Sequence, residues 1–219
     1  MKLRQLASIG VAILLVAWSA PARADLITFS FAGTVDSVDP ALAGTFSAGQ
    51  SLAGIYTFDS ATSARAGSTS TFAVFDALKN LSFTLGSYAA TSTGAPEIQV
   101  DNNPPLPDHD RYSVLSRASD GLTGAMVSGL ALDSFGFRLD DSTNTVFSDA
   151  LILPTSLNLA NFDNRQFFIF FTDGTSPSVV SGRITSLRAV PEPSSVVMLG
   201  VGTLSLLGYG LRRRRTAGA

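Results

Sequence analysis

Cysteine is absent from the 219 residues. That excludes a disulfide framework, a thiolate-ligated zinc or iron–sulfur site, and any thiol nucleophile. Histidine occurs once, as His109, so a His-rich metal centre is excluded too. Charged side chains make up only 15% of the chain, below the roughly one quarter usual in a globular protein. Glutamate is scarcest among the acids, with Glu97 and Glu192 standing against fifteen aspartates. No Gly-x-Ser-x-Gly elbow, His-Glu-x-x-His pair or glycine-rich phosphate loop occurs. The chain therefore lacks the sequence marks of an α/β-hydrolase, a zinc protease or a nucleotide-binding enzyme.

What is present is apolar and aromatic. Hydrophobic residues reach 45% and phenylalanine 15 copies, which rules out a disordered polyelectrolyte and supplies a core for one ordinary domain or two small ones. The formal charge of −2 hides a segregation. From Asp25 to Arg188 there are eight basic and sixteen acidic residues, a balance of −8. The remaining bases are Lys2, Arg4 and Arg23 at one end and Arg212, Arg213, Arg214 and Arg215 at the other. An acidic body argues against a nucleic-acid partner, which requires a basic face.

Both ends read as addresses. Lys2 and Arg4 precede a charge-free run from Gln5 to Ala22 with its apolar heart at Ile9–Trp18, and Ala22-Arg23-Ala24 follows. This is the three-part layout of a secretory signal over residues 1–24, with Ala22 and Ala24 as the small residues that signal peptidase reads and Asp25 as the mature start. The apolar heart is shorter than the ~20 residues a spanning helix needs. At the other end, Ser194–Leu211 is eighteen residues without a charge. As a helix it would reach about 27 Å, enough to cross a bilayer core. Its four glycines are tolerated in lipid, and Arg212–Arg215 set its C-terminal side in the cytoplasm. Just before it stands Pro191-Glu192-Pro193, whose prolines hold the backbone extended and legible to an enzyme.

A Pro-Glu-Pro triplet, a short glycine-rich apolar helix and a terminal arginine cluster, in that order, resemble the PEP-CTERM sorting signal, here over residues 189–219. A tail of this kind has also carried the label of an ice-binding-protein C-terminal domain, which names the tail alone. The resemblance implies a Gram-negative bacterium that makes extracellular polysaccharide. It also implies a transpeptidase-like membrane enzyme, exosortase, that recognises Pro191, Glu192 and Pro193, cuts near them, and releases or transfers the body.

Between the addresses, over residues 25–188, the period is two rather than 3.6. Ile27, Phe29, Phe31 and Val35 share one face of LITFSFAGTV; Leu52, Tyr56 and Phe58 alternate, as do Leu81, Phe83 and Leu85, and Phe135, Phe137 and Leu139. QFFIFFT, Gln166–Thr172, is apolar on both faces and predicts a central strand buried from both sides; Ser178–Leu187 predicts a closing strand. One short helical turn is expected at Asn158–Asp163. Turn-rich clusters separate these runs, so the expected fold is an all-β, antiparallel sandwich or jelly roll in a single domain. The phrases FSFAGTV, GIYTFDS, NLSFTLGSY, SFGFRLDDS and SGRITSL are similar to those of a group of PEP-CTERM exported proteins, which supports the sandwich and supplies no catalytic residue.

The candidates for chemistry are few. His109, between Asp108 and Asp110, could help hold a metal or act as a base, or could be a solvated loop residue. Asp101, Asp108, Asp110 and Asp140–Asn144 supply hard oxygen ligands suited to Ca²⁺ without the EF-hand spacing; Asp140–Asn144 equally reads as a hairpin turn joining FGFRL to TVFSDALIL. Glu97 could belong to a carboxylate pair for glycoside cleavage. Ser68–Thr71 and Thr91–Thr93 could form a hydroxyl-rich β surface. The expectation is a non-catalytic, exported surface or matrix protein with structural or adhesive work, needing no cofactor. Its partners are signal peptidase, exosortase, the inner membrane before processing, and extracellular polysaccharide. The alternatives are a calcium- or carbohydrate-binding module and a polysaccharide-acting hydrolase.

Overall fold

A computed structural model describes residues 26–94, 96–104 and 108–190. Alternation of large apolar and small polar residues builds eleven strands: β1 (Leu26–Val38), β2 (Ser51–Asp59), β3 (Phe72–Phe75), β4 (Leu78–Leu85), β5 (Tyr88–Ser92), β6 (Glu97–Asp101), β7 (Asp110–Arg117), β8 (Leu122–Gly124), β9 (Ala131–Asp141), β10 (Asn164–Thr172) and β11 (Pro177–Val190). The predicted inward sets are buried, Phe29, Phe31 and Val35 on β1, Tyr56 and Phe58 on β2, Phe83 on β4, Phe135 and Phe137 on β9, except Ile27 at the start of β1, which is half-buried. The turn expected before QFFIFFT is a single 3-10 turn, Leu159–Asn161, whose Asn158 side chain accepts from the Ala160 N–H.

The strands form one antiparallel sheet in the order β3-β6-β7-β9-β10-β11-β1-β2-β4-β5-β8, curled into a half-barrel. Two separate sandwich sheets are not what the chain makes. Its arms curl toward one another instead, so that Phe83 of β4 stacks on Phe135 of β9 at 4.3 Å between centroids, and Phe31 of β1 lies 5.6 Å from Phe137. The β1–β11 ladder carries register shifts at Ala32/Gly33 and Val35/Ser37, the kind of bulge that kinks a strand and adds twist. Gly33 and Gly182 face each other's strands there, and a Cβ on Gly182 would strike the Thr34 carbonyl and the Phe167 ring.

β10 does occupy a central position, between β9 and β11. Only Phe167, Ile169 and Phe171 enter the core; Phe168 and Phe170 are half-buried on the outer face. A single curled sheet has no second layer outside it, so the expected burial of both faces fails, and the Arg138 guanidinium partly covers Phe168, 5.5 Å from its ring centroid. β11 likewise lies in mid-sheet, between β10 and β1, rather than closing an edge. TVFSDALIL forms no strand: it is a loop that lays Ala150 and Leu153 into the core and ties the Ala150 N–H to the Ser70 carbonyl.

Among the described residues no helix is long and apolar enough to cross a membrane. The signal residues 1–24 with Ala22 and Ala24, the triplet Pro191-Glu192-Pro193, the apolar run Ser194–Leu211 and Arg212–Arg215 lie outside the described residues.

Candidate functional site

The aspartates singled out by the sequence gather at neighbouring strand ends. β6 stops at Asp101, β7 starts at Asp110, β9 stops at Asp140-Asp141 and β10 starts at Asn164. The pairing sets Asp110 opposite Asp141 and Arg111 opposite Asp140. Side chains alternate across a strand, so Asp110 and Asp141 turn to the core side while Asp140 and Arg111 turn outward. All four of Asp101, Asp110, Asp140 and Asp141 are buried.

A buried carboxylate must find donors, and each does. Asp110 accepts the Asn103 N–H at 2.9 Å on one oxygen and the Phe147 N–H at 2.8 Å on the other, fastening two loops to β7. Asp141 accepts from the N–H and hydroxyl of both Thr143 and Thr145, at 2.6 to 3.3 Å. Burial alone would raise the Asp141 pKa, but these donors outweigh it and hold the carboxyl below its ordinary value. Asp101 is the opposite case: burial raises its pKa against the opposing pull of Gln99, Arg111 and His109. Both Asp101 oxygens meet the Gln99 amide, at 2.9 and 3.0 Å.

On the outer face Asp140 is the hub. It accepts from Arg111 Nε at 2.7 Å and Asn164 Nδ2 at 2.8 Å, with His109 Nε2 at 3.3 Å and Arg138 Nε at 3.5 Å. His109 is thus a half-buried partner of Asp140 and of the Arg111 guanidinium, 2.8 Å away, rather than a solvated loop residue. Arginine occupies the ground a cation would take. Among the described residues no three His, Asp or Glu side chains are placed to hold a metal ion. Asp108 stands apart and exposed, accepting from Asn144 Nδ2 at 3.2 Å.

Glu97 opens β6, as its place after Pro96 suggests, and its two oxygens receive Arg65 at 3.0 Å and Arg117 at 3.1 Å. The Ser68–Thr71 patch is a turn, in which Thr69 Oγ1 accepts the Phe72 N–H, and not a strand surface. Thr91, on β5, does belong to a hydroxyl-rich strand surface. The outer faces of β1, β2, β4 and β5 enclose a shallow groove of about 630 Å³ lined by Ser30, Ala32, Ala53, Ile55, Ser82 and Thr84, without a charged side chain.

One further feature had no signal in periodicity. β11 pairs with β10 only up to Arg183, whereas its pairing with β1 continues to Val190. Where β10 drops away, a cleft of about 520 Å³ opens, lined by Asp163, Asn164, Gln166, Arg183 and Thr185. Ala189 and Val190 stand opposite Phe29 and Thr28 at the exposed end of this strand.

Comparison with known proteins speaks to that end of the chain. No curated protein and no solved structure is significantly similar to it. Residues 189–215 match the PEP-CTERM protein-sorting motif. The match starts on the last two residues of β11 and continues through Pro191-Glu192-Pro193 and the apolar run to the final arginine of the cluster. The chain thus carries a PEP-CTERM protein-sorting motif at residues 189–215, which supports an exported protein sorted by an exosortase.

Proposed function

We propose that the chain is a non-catalytic surface or matrix protein whose half-barrel body is cargo and whose tail is a substrate. Signal peptidase removes residues 1–24 after Ala24. Ser194–Leu211 then holds the body on the outer side of the inner membrane, with Arg212–Arg215 in the cytoplasm. An exosortase breaks a peptide bond near Pro193. The acyl carbon of that bond passes to a nucleophile of the enzyme while the tail leaves as a protonated free amine, and then passes to water, which frees the body, or to a second amine, which tethers it. The observation that carries this reading is the motif match over residues 189–215. The body adds structural or adhesive work at the cell surface or in the polysaccharide matrix. Its aspartates support that reading, because their lone pairs serve loop N–H groups and arginines rather than a reacting centre.

A second reading, a carbohydrate-binding body, is favoured by the charge-free groove between Ser30, Ser82 and Thr84. Hydroxyls and methyls on a flat sheet face suit a neutral sugar surface.

The test is the mass of the mature protein from its native host, alongside Glu192→Ala. Loss of both ends in the wild type with a retained C-terminal run in the variant is the expected result. An intact C-terminus in both would refute processing and leave a membrane-anchored protein.

A further inference from the structure

The body's last strand runs straight into the sorting motif. Gly33 of β1 stands opposite Ile184 and Ala32 opposite Ser186, so Thr185 is an extra residue in β11. Such a bulge bends a strand out of line. β10 ceases to pair at the same level, its last contact being Gln166 with Arg183, and the 520 Å³ cleft opens beside it. Past the bulge, Ser186–Val190 pair with β1 on one side. Among the described residues no strand pairs with the other side. Alternate residues of an antiparallel strand turn their N–H and C=O to opposite edges, so this stretch offers an open row of donors and acceptors. The motif match begins at residue 189, inside the stretch, and Pro191 follows Val190 with no linker.

Resting on the sorting reading, we propose that Ser186–Val190 is a docking strand for the enzyme that acts at Pro191-Glu192-Pro193, which adds a strand of its own along this open edge. The triplet spans at most about 10 Å of extended chain, so an enzyme gripping it necessarily lies against the end of β11. Strand addition draws its affinity from main-chain bonds and needs no particular side chain. Pro191 brings no N–H to a ladder, so its chemistry sets the limit of any such pairing at the start of the triplet. The sheet's outer edges are poorer sites: β3 has four residues and β8 three, and neither leads to the motif.

The test is an eight-residue Gly/Ser insertion between Val190 and Pro191 in the full chain, expressed in the native host. The same insertion in the Asp173–Ser176 turn, at the opposite end of β11, is the control. Thermal melting of both verifies that the body is folded. The expected result is a drop of about tenfold or more in the rate of tail loss for the first insertion, the scale of two or three lost main-chain bonds, and wild-type processing for the control. Wild-type processing of both would overturn the docking strand while leaving sorting intact. Equal loss in both would also overturn it. A wild-type chain that keeps its tail would refute the sorting reading, and the docking strand with it.

Discussion

Asp110 is the most informative side chain to change. Its carboxylate is fully buried and accepts two backbone N–H groups from different loops, Asn103 at 2.9 Å and Phe147 at 2.8 Å. Asp110→Asn keeps the shape and removes the charge. One of the two N–H groups must then face the amide NH₂, and a buried donor left without an acceptor costs about 1–3 kcal/mol. The surviving bond loses its charge assistance, worth about 1 kcal/mol more. Relief of the buried charge offsets part of this, so a net loss of about 2 kcal/mol is expected. At about 2–4 °C per kcal/mol for a body of this size, the melting temperature falls by about 4–8 °C. Urea unfolding followed by circular dichroism reads the difference. Asp108→Asn is the internal comparison: exposed, with one 3.2 Å bond to Asn144, it should change stability by less than about 0.5 kcal/mol. Equal losses at the two positions, or less than about 0.5 kcal/mol at Asp110, would refute the idea that this carboxylate fastens the loops.

Asp141, held below its ordinary pKa by the Thr143 and Thr145 donors against the cost of burial, contributes stability fully present above about pH 4 and lost as pH falls through the lowered value. Urea titrations from pH 7 to 2 should show wild type and Asp141→Asn converging at the acid end; parallel curves would contradict this. Tyr56 and Tyr112 share a buried hydroxyl contact of 3.2 Å, and burial raises both pKa values well above the ordinary phenol, while burial pushes Tyr88 up to about 12. The folded state keeps its protons where the unfolded state sheds them, so stability should fall as pH rises above about 10. Absorbance at 295 nm should show these three rings silent at pH 10, and early ionisation of any of them would count against the packing. Tyr56→Phe, which leaves the Tyr112 hydroxyl without its partner, should cost about 1–2 kcal/mol in the same urea assay.

The strands were legible because a large inward apolar residue at every second position is a local signal, kept over Leu81, Phe83 and Leu85 in β4 and over Phe135, Phe137 and Leu139 in β9. The turn at Asn158 was legible for the same reason, a polar cap beside a short apolar run. Strand order was not. Nothing local tells Leu26–Val38 that its neighbours will be Ser51–Asp59 and Pro177–Val190, and that choice is what replaces a sandwich with one curled sheet. QFFIFFT misled because its outer Phe168 and Phe170 stack on each other and Arg138 from β9 lies over Phe168, contacts visible only in register. Thr145–Leu153 misled because an apolar run can fill a core as loop as well as strand. For the aspartates, composition located the cluster, but not that Arg111 and Arg138 come in from β7 and β9 to meet it. Pro191-Glu192-Pro193 was read from residue identity alone, since a sorting signal works as a linear phrase.

The adjacency of β1 and β11 also sets a clock. The first strand of the body cannot complete its pairing until residues about 150 positions later have emerged, from Thr28 to Val190 at the extreme. Long-range closure of this kind is slow. On the export route proposed above, β1 would emerge first and wait, its far edge and that of β10 unsatisfied, until Pro177–Val190 followed. By then the apolar tail is only four residues behind. On that same proposal, the body would seal at about the moment the tail reached the bilayer, coupling the end of folding to arrival at the membrane.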